Sequence, residues 1–172
     1  QSAVDDDIPP FEYSLADTLT SASTLATSVR DAPEASIAEI CPLAETIMEQ
    51  MRAHFDANSG AALIIDYGYA HSTPGDSFQA LKDHKFVDPL AEPGEADLTA
   101  HVDFEALAKP FSKAAFYGPI EQGSFLEALG IRARATALAA NANEQQRHEI
   151  TSALKRLTER DAMGSLFKVM AV

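Results

Sequence analysis

The chain contains 172 residues, of which 46% are hydrophobic; this excludes global disorder and is enough for one domain with a buried core. Its formal net charge is −13, from 13 Lys and Arg against 26 Asp and Glu. Nucleic-acid binding usually requires a basic surface, and the sequence has no Lys/Arg cluster, so we expect no nucleic-acid partner. An acidic surface suits a cationic partner or serves only solubility.

A single cysteine, Cys41, excludes an intrachain disulfide and a multi-cysteine zinc site, and it favours a reducing compartment. No apolar run approaches the roughly 18 residues that cross a bilayer. No secretory signal is visible either, so we expect no membrane insertion. Because the chain begins with Gln1, a targeting segment upstream stays open.

The first 35 residues are expected to form a flexible lead-in that contains one strand. That strand is "FEYSLAD", Phe11–Asp17, in which apolar and polar side chains alternate. "SIAEI", residues 36–40, predicts a second short strand. Pro42 then occupies a first helical position, and the helix with its apolar stripe is expected to end near residues 58–60.

Residues 61–66 predict a buried strand, because the five residues 61–65 are apolar without alternation. A strand of this kind is typical of a sheet covered on both faces. Strand, helix and strand in this order indicate the start of a parallel α/β unit. Residues 68–98 contain several Gly and Pro, which predict a long loop with at most a short helix at Ser77–His84.

The remainder of the chain predicts alternating short elements, with a helical region at about 122–160. Asp103 is a good N-cap for a helix that runs to about Lys109. The other expected elements are a strand at "AAFYGPI", a helix at "SFLEALGI" closed by Gly130, a helix over 131–140, a helix capped by Asn143 and Gln146, and a final strand at 165–172.

Asp66, Tyr67 and Gly68 follow the buried strand directly. Ligands of open parallel sheets bind outside the carboxyl ends of the strands, so these residues are candidates for lining a cleft. Asp66 could orient a cationic substrate, Tyr67 could offer a ring face or a hydroxyl, and Gly68 could let the backbone approach a ligand. The alternative is a strand-to-loop turn with a capping Asp.

A second polar cluster lies in "GEADLTAHVDF", residues 94–104. Its polar side chains fall at alternating positions, which would place them on one side of an extended segment; they are Glu95, Asp97, Thr99, His101 and Asp103. A histidine between carboxylates could act as a general base or a ligand. Helix capping by Asp103 and loop hydrogen bonds for the others are the alternative.

Other chemistries have little support in the sequence. His and Asp residues occur between His71 and His101 without a metal-site spacing such as HExxH, so no metal site is expected. Cys41 precedes a proline and a helix, where burial accounts for it. No GxSxG, Walker A or GxGxxG motif is present, so no nucleophile and no nucleotide loop can be assigned.

Four ordered blocks resemble the MidA family of S-adenosylmethionine-dependent methyltransferases, which includes a mitochondrial arginine methyltransferase of complex I assembly. The resemblance runs almost continuously over residues 36–172. Its blocks are "AALIIDYGYA", "FQALKDHKFVDPLAEPGEADLTAHVDFEAL", "GPIEQGSFLEALGI" and "MGSLFKVMAV". It implies an α/β fold, namely the C-terminal part of a Rossmann-like class I methyltransferase sheet with added helices.

The resemblance also implies which residues serve the substrate side of the cleft, while the catalytic residues stay unknown. The matching positions are Asp66, Tyr67, Gly68, Asp97, Thr99, His101, Asp103, Gln122 and Gly123. The family's glycine-rich cofactor loop has no counterpart here. The S-adenosyl-L-methionine site is therefore expected upstream of this chain, and residues 36–172 are expected to be the C-terminal half of the domain, inactive alone.

The implied function is the substrate-side portion of a protein methyltransferase directed at arginine, with a respiratory complex I subunit as a candidate substrate. This function is compatible with a bacterial cytoplasm or a mitochondrial matrix, and we favour the cytoplasm. Whether the protein forms a homo-oligomer is left open by the sequence. The competing hypothesis is a non-catalytic interaction module, or a half-domain that assembles with a separate chain.

Overall fold

A computed structural model describes residues 11–14, 27–113 and 115–172 of the chain. The chain divides into two compact units. The first comprises Gln1–Glu39 and Pro74–His101, and the second comprises Ile40–Thr73 and Val102–Val172. The described helices are α1 Thr27–Arg30, α2 Pro42–Asn58, α3 Phe104–Ala108, α4 Gln122–Ala128, α5 Ile131–Ala139, α6 Glu144–Thr158 and α7 Met163–Leu166. The described strands are β1 Leu63–Tyr69, β2 Gln79–Lys82, β3 Lys85–Val87, β4 Asp97–Thr99, β5 Val102–Asp103, β6 Tyr117–Glu121 and β7 Phe167–Ala171.

The first unit contains a three-stranded antiparallel sheet in the order β3-β2-β4. Its β2–β3 hairpin turns through Asp83 and His84, which have φ angles of 50° and 61°. Two consecutive left-handed residues make the tight turn whose twist matches antiparallel strands. The predicted long loop over 68–98 and the predicted helix at Ser77–His84 are therefore wrong, because strand pairing organises a segment rich in turn residues.

The second unit contains a four-stranded sheet in the order β5-β1-β7-β6. β1 runs parallel to β5, and β7 runs antiparallel to both of its neighbours. One face of this sheet carries Ile64, Val102 and Met170, which pack with α2 and α3. The fully or nearly fully buried members of this core are Met48, Phe104, Leu107, Ala108, Phe111 and Met170. Burial of these side chains stabilises the unit.

The opposite face of β1 is only partly covered. Leu63 and Ile65 keep 53% and 44% of their surface exposed, so the prediction that both faces of this strand are covered is wrong. Successive side chains alternate between the faces, and only the face of Ile64 meets α2 and α3. β1 also extends to Tyr69, which places Asp66, Tyr67 and Gly68 inside the strand rather than after it.

Among the described residues, neither of the two strands predicted near the amino-terminal side is found. Residues 36–40 have no regular secondary structure, so the expected strand–helix–strand unit lacks its first strand. Residues 11–14 of the predicted strand Phe11–Asp17 are exposed and non-regular, and the rest of that prediction lies outside the described residues. In the predicted flexible lead-in over the first 35 residues, residues 27–30 form the helix α1, and residues 18–26 also lie outside the described residues.

The predictions made from capping signals are confirmed. α2 starts at Pro42 and ends at Asn58, followed by Ser59 with a φ of 60°. Gly130, at a φ of 82°, separates α4 from α5. At the start of α6, the Asn143 side chain accepts from the Gln146 backbone N–H at 2.9 Å, and the Gln146 side chain accepts from Asn143 N–H at 3.0 Å. These interactions act within a few residues of the helix end.

Gly68 controls the approach of β5 to β1. It pairs with Val102, and a Cβ atom at Gly68 would lie 2.8 Å from the Val102 backbone nitrogen and closer still to its carbonyl oxygen. We expect Gly68→Ala to lower the free energy of unfolding by about 3 kcal/mol or more, because backbone atoms cannot move aside as a flexible side chain can. Urea denaturation measures this change.

Gly130→Ala is the matched control in the same unit. Among the described residues, no atom beyond its own neighbours along the chain lies within 4 Å of the position that a Cβ atom would take there, but the φ of +82° disfavours a side chain. We expect a loss of about 1–2 kcal/mol from this backbone strain alone. Equal losses for both variants would contradict the close approach of β1 and β5.

Candidate functional site

The loop that follows β1 is fastened to the first turn of α3. Ser72 is buried, and its backbone N–H donates to Glu105 Oε2 at 2.8 Å while its hydroxyl donates to Asp103 Oδ2 at 2.6 Å. Both carboxylates therefore lie at the carboxyl end of the parallel pair β1 and β5, which is where open α/β sheets bind ligands. We name His71, Ser72, Asp103 and Glu105 the β1–α3 cluster.

Asp103 caps α3, as its sequence position predicts. Its Oδ1 accepts from the backbone N–H of Ala106 at 3.0 Å, and its Oδ2 accepts from Ser72. Both oxygens therefore have a structural partner, although each oxygen of a carboxylate can accept more than one hydrogen bond. Asp103 fixes the start of α3 and the position of the loop after β1.

Glu105 is a candidate that the sequence reasoning missed. Its side chain is half-exposed, and its Oε2 lies 3.9 Å from Nδ1 of the exposed His71. Its other oxygen, Oε1, has no hydrogen-bond partner among the described residues. The available signal was its place in the first helical turn, two residues after the Asp103 cap, where an acidic residue is usually read as a helix-dipole partner.

Asp66 and Tyr67 project to opposite faces of β1, because they are neighbours in one strand. Asp66 lies opposite Lys168 of β7, on the face covered by α2 and α3, and its Oδ1 accepts from the Tyr67 backbone N–H at 2.8 Å. The Tyr67 ring meets Phe167 edge to face, with centroids 5.5 Å apart. Asp103, paired with Tyr69, lies on the face of Tyr67. Asp66 and Asp103 therefore do not share a face.

The backbone of Gly68 packs closely against β5. The space that a side chain would fill is occupied by the backbone of Val102. The glycine allows two strands to approach each other, which is one of the two uses that a glycine in a strand can have. This contact within the sheet accounts for a glycine at this position, and the close approach of a ligand stays a prediction.

The candidates Asp97, Thr99 and His101 lie in the first unit. Asp97 is exposed and pairs with Leu81, whereas the Thr99 hydroxyl is buried without a hydrogen-bond partner among the described residues. β4 ends at Thr99 and β5 begins at Val102 in a different sheet. The prediction that residues 95–103 form one extended segment with a common polar side is therefore wrong.

His101 is held through its backbone. Its N–H donates to Ser77 Oγ at 2.8 Å. Ser77 is in turn fixed by Glu39, whose Oε1 accepts the Ser77 N–H at 3.0 Å and whose Oε2 accepts the Ser77 hydroxyl. These hydrogen bonds connect Glu39 to Ser77, which belong to two segments of the first unit that are distant in the sequence.

Gln122 and Gly123 contribute to helix packing in the second unit. The buried Gln122 donates from Nε2 to the carbonyl oxygen of Leu157 at 3.0 Å. A Cβ atom at Gly123 would lie 2.6 Å from the carbonyl oxygen of Thr158. Both residues therefore hold the start of α4 against the end of α6.

Lys82 lies in the first unit, and the pKa of its side chain is raised. A hydrogen bond to Glu92 raises the pKa of its ammonium group above 10.5, with further support from the negative charges of Glu92, Glu95 and Asp83. Desolvation acts in the opposite direction and is outweighed. Lys82 is thus fully charged near neutral pH and engaged with an acidic neighbour.

Neither a metal cluster nor a membrane span occurs over residues 11–14, 27–113 and 115–172. These residues contain no group of three or more His, Cys, Asp or Glu side chains arranged to hold a metal ion. Over the same ranges, every helix is too short or too polar to traverse a bilayer.

The described residues do not by themselves fit an adenosyl cofactor. Such cofactors are usually held where glycines let a backbone loop approach them. Here the tightly packed glycines meet protein backbone instead: Gly68 meets Val102, Gly118 meets Val169, and Gly123 meets Thr158. We therefore assign no cofactor-binding residue within the described parts of this chain.

Residues 2–120 match the family model of putative S-adenosyl-L-methionine-dependent methyltransferases. The chain is 41% identical over 120 residues to the protein arginine methyltransferase NDUFAF7 homolog, mitochondrial, of Drosophila melanogaster, covering 68% of this chain and 27% of that protein. It is 38% identical over 136 residues to the protein arginine methyltransferase NDUFAF7, mitochondrial, of Homo sapiens, covering 78% and 31%.

Two solved structures from Burkholderia thailandensis are similar in fold, with TM-scores of 0.60 and 0.57 and 27% identity each. Both cover 76% of this chain, and this chain covers 35% and 34% of them, respectively. The second is a candidate methyl transferase bound to S-adenosyl-homocysteine. These likenesses confirm the Rossmann-like α/β fold class.

The chain spans about a third of the length of the relatives and structures that it matches. The family match itself covers well over half of this chain, and it includes the first two of the four blocks that resemble the MidA family. The chain belongs to this family of S-adenosyl-L-methionine-dependent methyltransferases.

Proposed function

We propose that this chain forms the substrate-side portion of a protein methyltransferase whose acceptor is an arginine side chain. The observation that carries the proposal is the β1–α3 cluster, where two carboxylates are joined through Ser72 at the carboxyl end of β1 and β5. Family membership supplies the reaction class, and the names of the relatives, protein arginine methyltransferases, favour the acceptor.

Glu105 is the side chain best suited to hold a guanidinium group. A carboxylate binds a guanidinium through paired, charge-assisted hydrogen bonds. Glu105 is half-exposed and keeps Oε1 uncommitted among the described residues, while its Oε2 retains acceptor capacity beyond the Ser72 N–H. The edge-to-face pair of Tyr67 and Phe167 adds aromatic surface on the face of Asp103, and such surfaces attract cations.

Asp66 has a separate role in this proposal. Its Oδ1 accepts the Tyr67 N–H, which leaves Oδ2 as an acceptor on the face opposite Asp103. We assign Asp66 to the orientation of the substrate rather than to the same carboxylate group as Glu105. The family candidates Asp97, Thr99, His101, Gln122 and Gly123 stay assigned to the substrate side by resemblance.

The contribution of this chain to the reaction is positional. The cofactor supplies the methyl group, and methyl transfer to nitrogen needs the acceptor held in line at close range. Orientation of this kind accounts for a large part of the rate of two-reactant enzymes. The net charge of −13 further favours the encounter with a cationic segment of a protein substrate. We assign no residue as a catalytic base.

The finer identity of the substrate rests on the family resemblance. It points to a subunit of respiratory complex I, or to the corresponding protein of a bacterium. The matched relatives are named mitochondrial proteins, and the single cysteine is compatible with a reducing compartment such as the matrix or the cytoplasm.

Cofactor binding separates the two functional hypotheses for the isolated chain. We expect calorimetric titration of the 172-residue chain with S-adenosyl-L-methionine to give no saturable heat. The reason is that its tightly packed glycines Gly68, Gly118 and Gly123 contact protein backbone rather than leaving space for a cofactor. The full-length gene product, titrated as the control, should bind. Saturable binding by the 172-residue chain would refute the assignment of the cofactor site to another part of the protein. Failure of both proteins to bind would favour the non-catalytic module.

The substrate role of the carboxylates can be tested in the full-length gene product. We expect Glu105→Gln and Asp66→Asn each to raise KM for an arginine-containing peptide by about 10- to 100-fold, because the first variant loses the charged partner of the guanidinium group and the second loses a carboxylate that orients the substrate. Both amides preserve an acceptor for the backbone N–H that the carboxylate binds. Release of S-adenosyl-homocysteine is the readout, and unfolding curves should shift by less than about 1 kcal/mol.

Glu149→Gln is the control for charge removal, because Glu149 lies on exposed α6 and contacts Gln145. The KM of Glu149→Gln should stay within about twofold of the parent.

Asp66→Ala should impair methyl transfer more than it impairs folding. A loss of stability without a change in KM would make these carboxylates structural caps, and unchanged KM and stability would move the substrate site elsewhere.

A further inference from the structure

A groove in the first unit lies beside β4 and the loop that precedes it, and we name it the β4 groove. Its volume is about 230 Å³, and Glu92 borders it. Small-molecule sites in proteins usually occupy roughly 300–1,000 Å³, so the β4 groove suits one or two side chains better than a cofactor. Its apolar lining comes from Phe11, Pro89, Leu90, Pro93, Ala96 and Leu98.

The walls of the β4 groove are fastened to each other. Leu98 of β4 pairs with Ala80 of β2, which is fully buried. Lys82, two residues further along β2, donates to the Glu92 carboxylate and so connects the loop to the sheet. The loop begins with a turn at Asp88, whose Oδ1 accepts the backbone N–H two positions further on at 2.9 Å. Walls that are held in place before binding lose little conformational freedom when a partner binds.

Two apolar side chains of the β4 groove are largely uncovered. Phe11 and Leu98 each expose 58% of their surface. Single exposed apolar residues are common, whereas apolar residues that border one concave surface mark a binding site. Here both side chains line the same groove.

The rim of the β4 groove is acidic. Residues 88–98 contain four carboxylates and no Lys or Arg. All four carboxylates are exposed, and each belongs to a lining residue or to its direct neighbour in the chain; they are Asp88, Glu92, Glu95 and Asp97. Lys82 offsets one of these charges through its ion pair with Glu92. The remaining excess of negative charge favours a cationic partner.

We propose that the β4 groove docks a protein segment in which a large apolar side chain stands between lysine or arginine residues. The apolar side chain fills the groove beside Phe11 and Leu98, and the flanking cations meet the acidic rim. An apolar anchor in a pocket supplies affinity, and complementary charge supplies orientation and a faster encounter. This contact goes beyond the proposed function, because it requires neither cofactor nor an arginine at the β1–α3 cluster.

Charge favours this occupant over other macromolecules. Two copies of the chain would bring two net charges of −13 together, and repulsion between them opposes self-association. Nucleic acids and anionic lipid surfaces attract basic rather than acidic protein surfaces. A segment that is both cationic and apolar matches the lining and the rim at once.

The test measures peptide binding to the full-length gene product by fluorescence anisotropy, without cofactor. The probe is a short labelled peptide with a central phenylalanine between two pairs of lysines and no arginine. In the first matched peptide serine replaces the phenylalanine, and we expect it to bind about tenfold more weakly or less. In the second, glutamates replace the lysines, and we expect no measurable binding because the rim repels them.

Leu98→Ser and Phe86→Ser form a matched pair of variants in one sheet. Leu98 pairs with Ala80, whereas Phe86 pairs with the next residue, Leu81, and therefore lies on the opposite face. We expect Leu98→Ser to weaken binding of the phenylalanine peptide by about fivefold or more and to change binding of the serine peptide by less than about twofold. Phe86→Ser should leave both affinities within about twofold of the parent, although Phe86 is 72% exposed.

Equal affinity of the parent for the phenylalanine and serine peptides would overturn the proposal. So would unchanged binding by Leu98→Ser whose circular dichroism shows that it is folded. Failure of the parent to bind the phenylalanine peptide would also overturn it, in favour of a groove covered by another part of the protein's own chain.

Photo-crosslinking of the parent gives a second readout that needs no variant. Benzoylphenylalanine replaces the phenylalanine of the peptide, and crosslinks are mapped by mass spectrometry. We expect them at residues 89–98 and at Phe11, which line the groove. Crosslinks that lie entirely elsewhere would overturn the proposal, whether or not Leu98→Ser folds. Because the peptides lack arginine and no cofactor is added, failure here is distinct from failure of the proposed function.

Discussion

The close approach of β5 to β1 at Gly68 is the constraint on which the second unit depends. Only a residue without a Cβ atom fits against the Val102 backbone, and this contact sets the register that pairs Tyr69 with Asp103. Asp103 then lies where it can cap α3 and bind Ser72. The cap directs Phe104 and Leu107 of α3 into the core against Met48 and Met170. One tight backbone contact thus connects sheet pairing, helix position and core packing.

The same register decides how the polar residues are distributed. Alternation along β1 separates Asp66 from Tyr67, and pairing with β5 places Asp103 on the face of Tyr67. The acid that follows the apolar run in the sequence is therefore not part of the β1–α3 cluster. Glu105, fixed through Ser72, joins Asp103 in its place. A substrate that contacts both Asp66 and Glu105 would have to reach both faces at the carboxyl end of the strand, which suits an extended, flexible side chain better than a compact ligand.

The sequence predicted the features that depend on a few neighbouring residues. Pro42, the Asp103 cap, Gly130 and the capping pair of Asn143 with Gln146 each act within one helical turn, and all occur as expected. Features that depend on distant pairing were not predictable in this way. The hairpin of β2 and β3 lies in a segment rich in turn residues, and the exposed face of β1 depends on what packs against the sheet. Glu105 was missed because its link to Ser72 spans 33 positions, and no local pattern reports such a contact. The packing roles of Gln122 and Gly123 likewise depend on α6.

The central claim is that an arginine side chain is received at the carboxyl end of β1 beside α3. Photo-crosslinking in the full-length gene product tests it most directly, using an arginine-containing peptide with a diazirine next to the arginine and S-adenosyl-homocysteine present. We expect crosslinks, mapped by mass spectrometry, to residues 66–73 and 103–106, with competition by the unlabelled peptide. Competable crosslinks that lie entirely outside these two segments would contradict the claim.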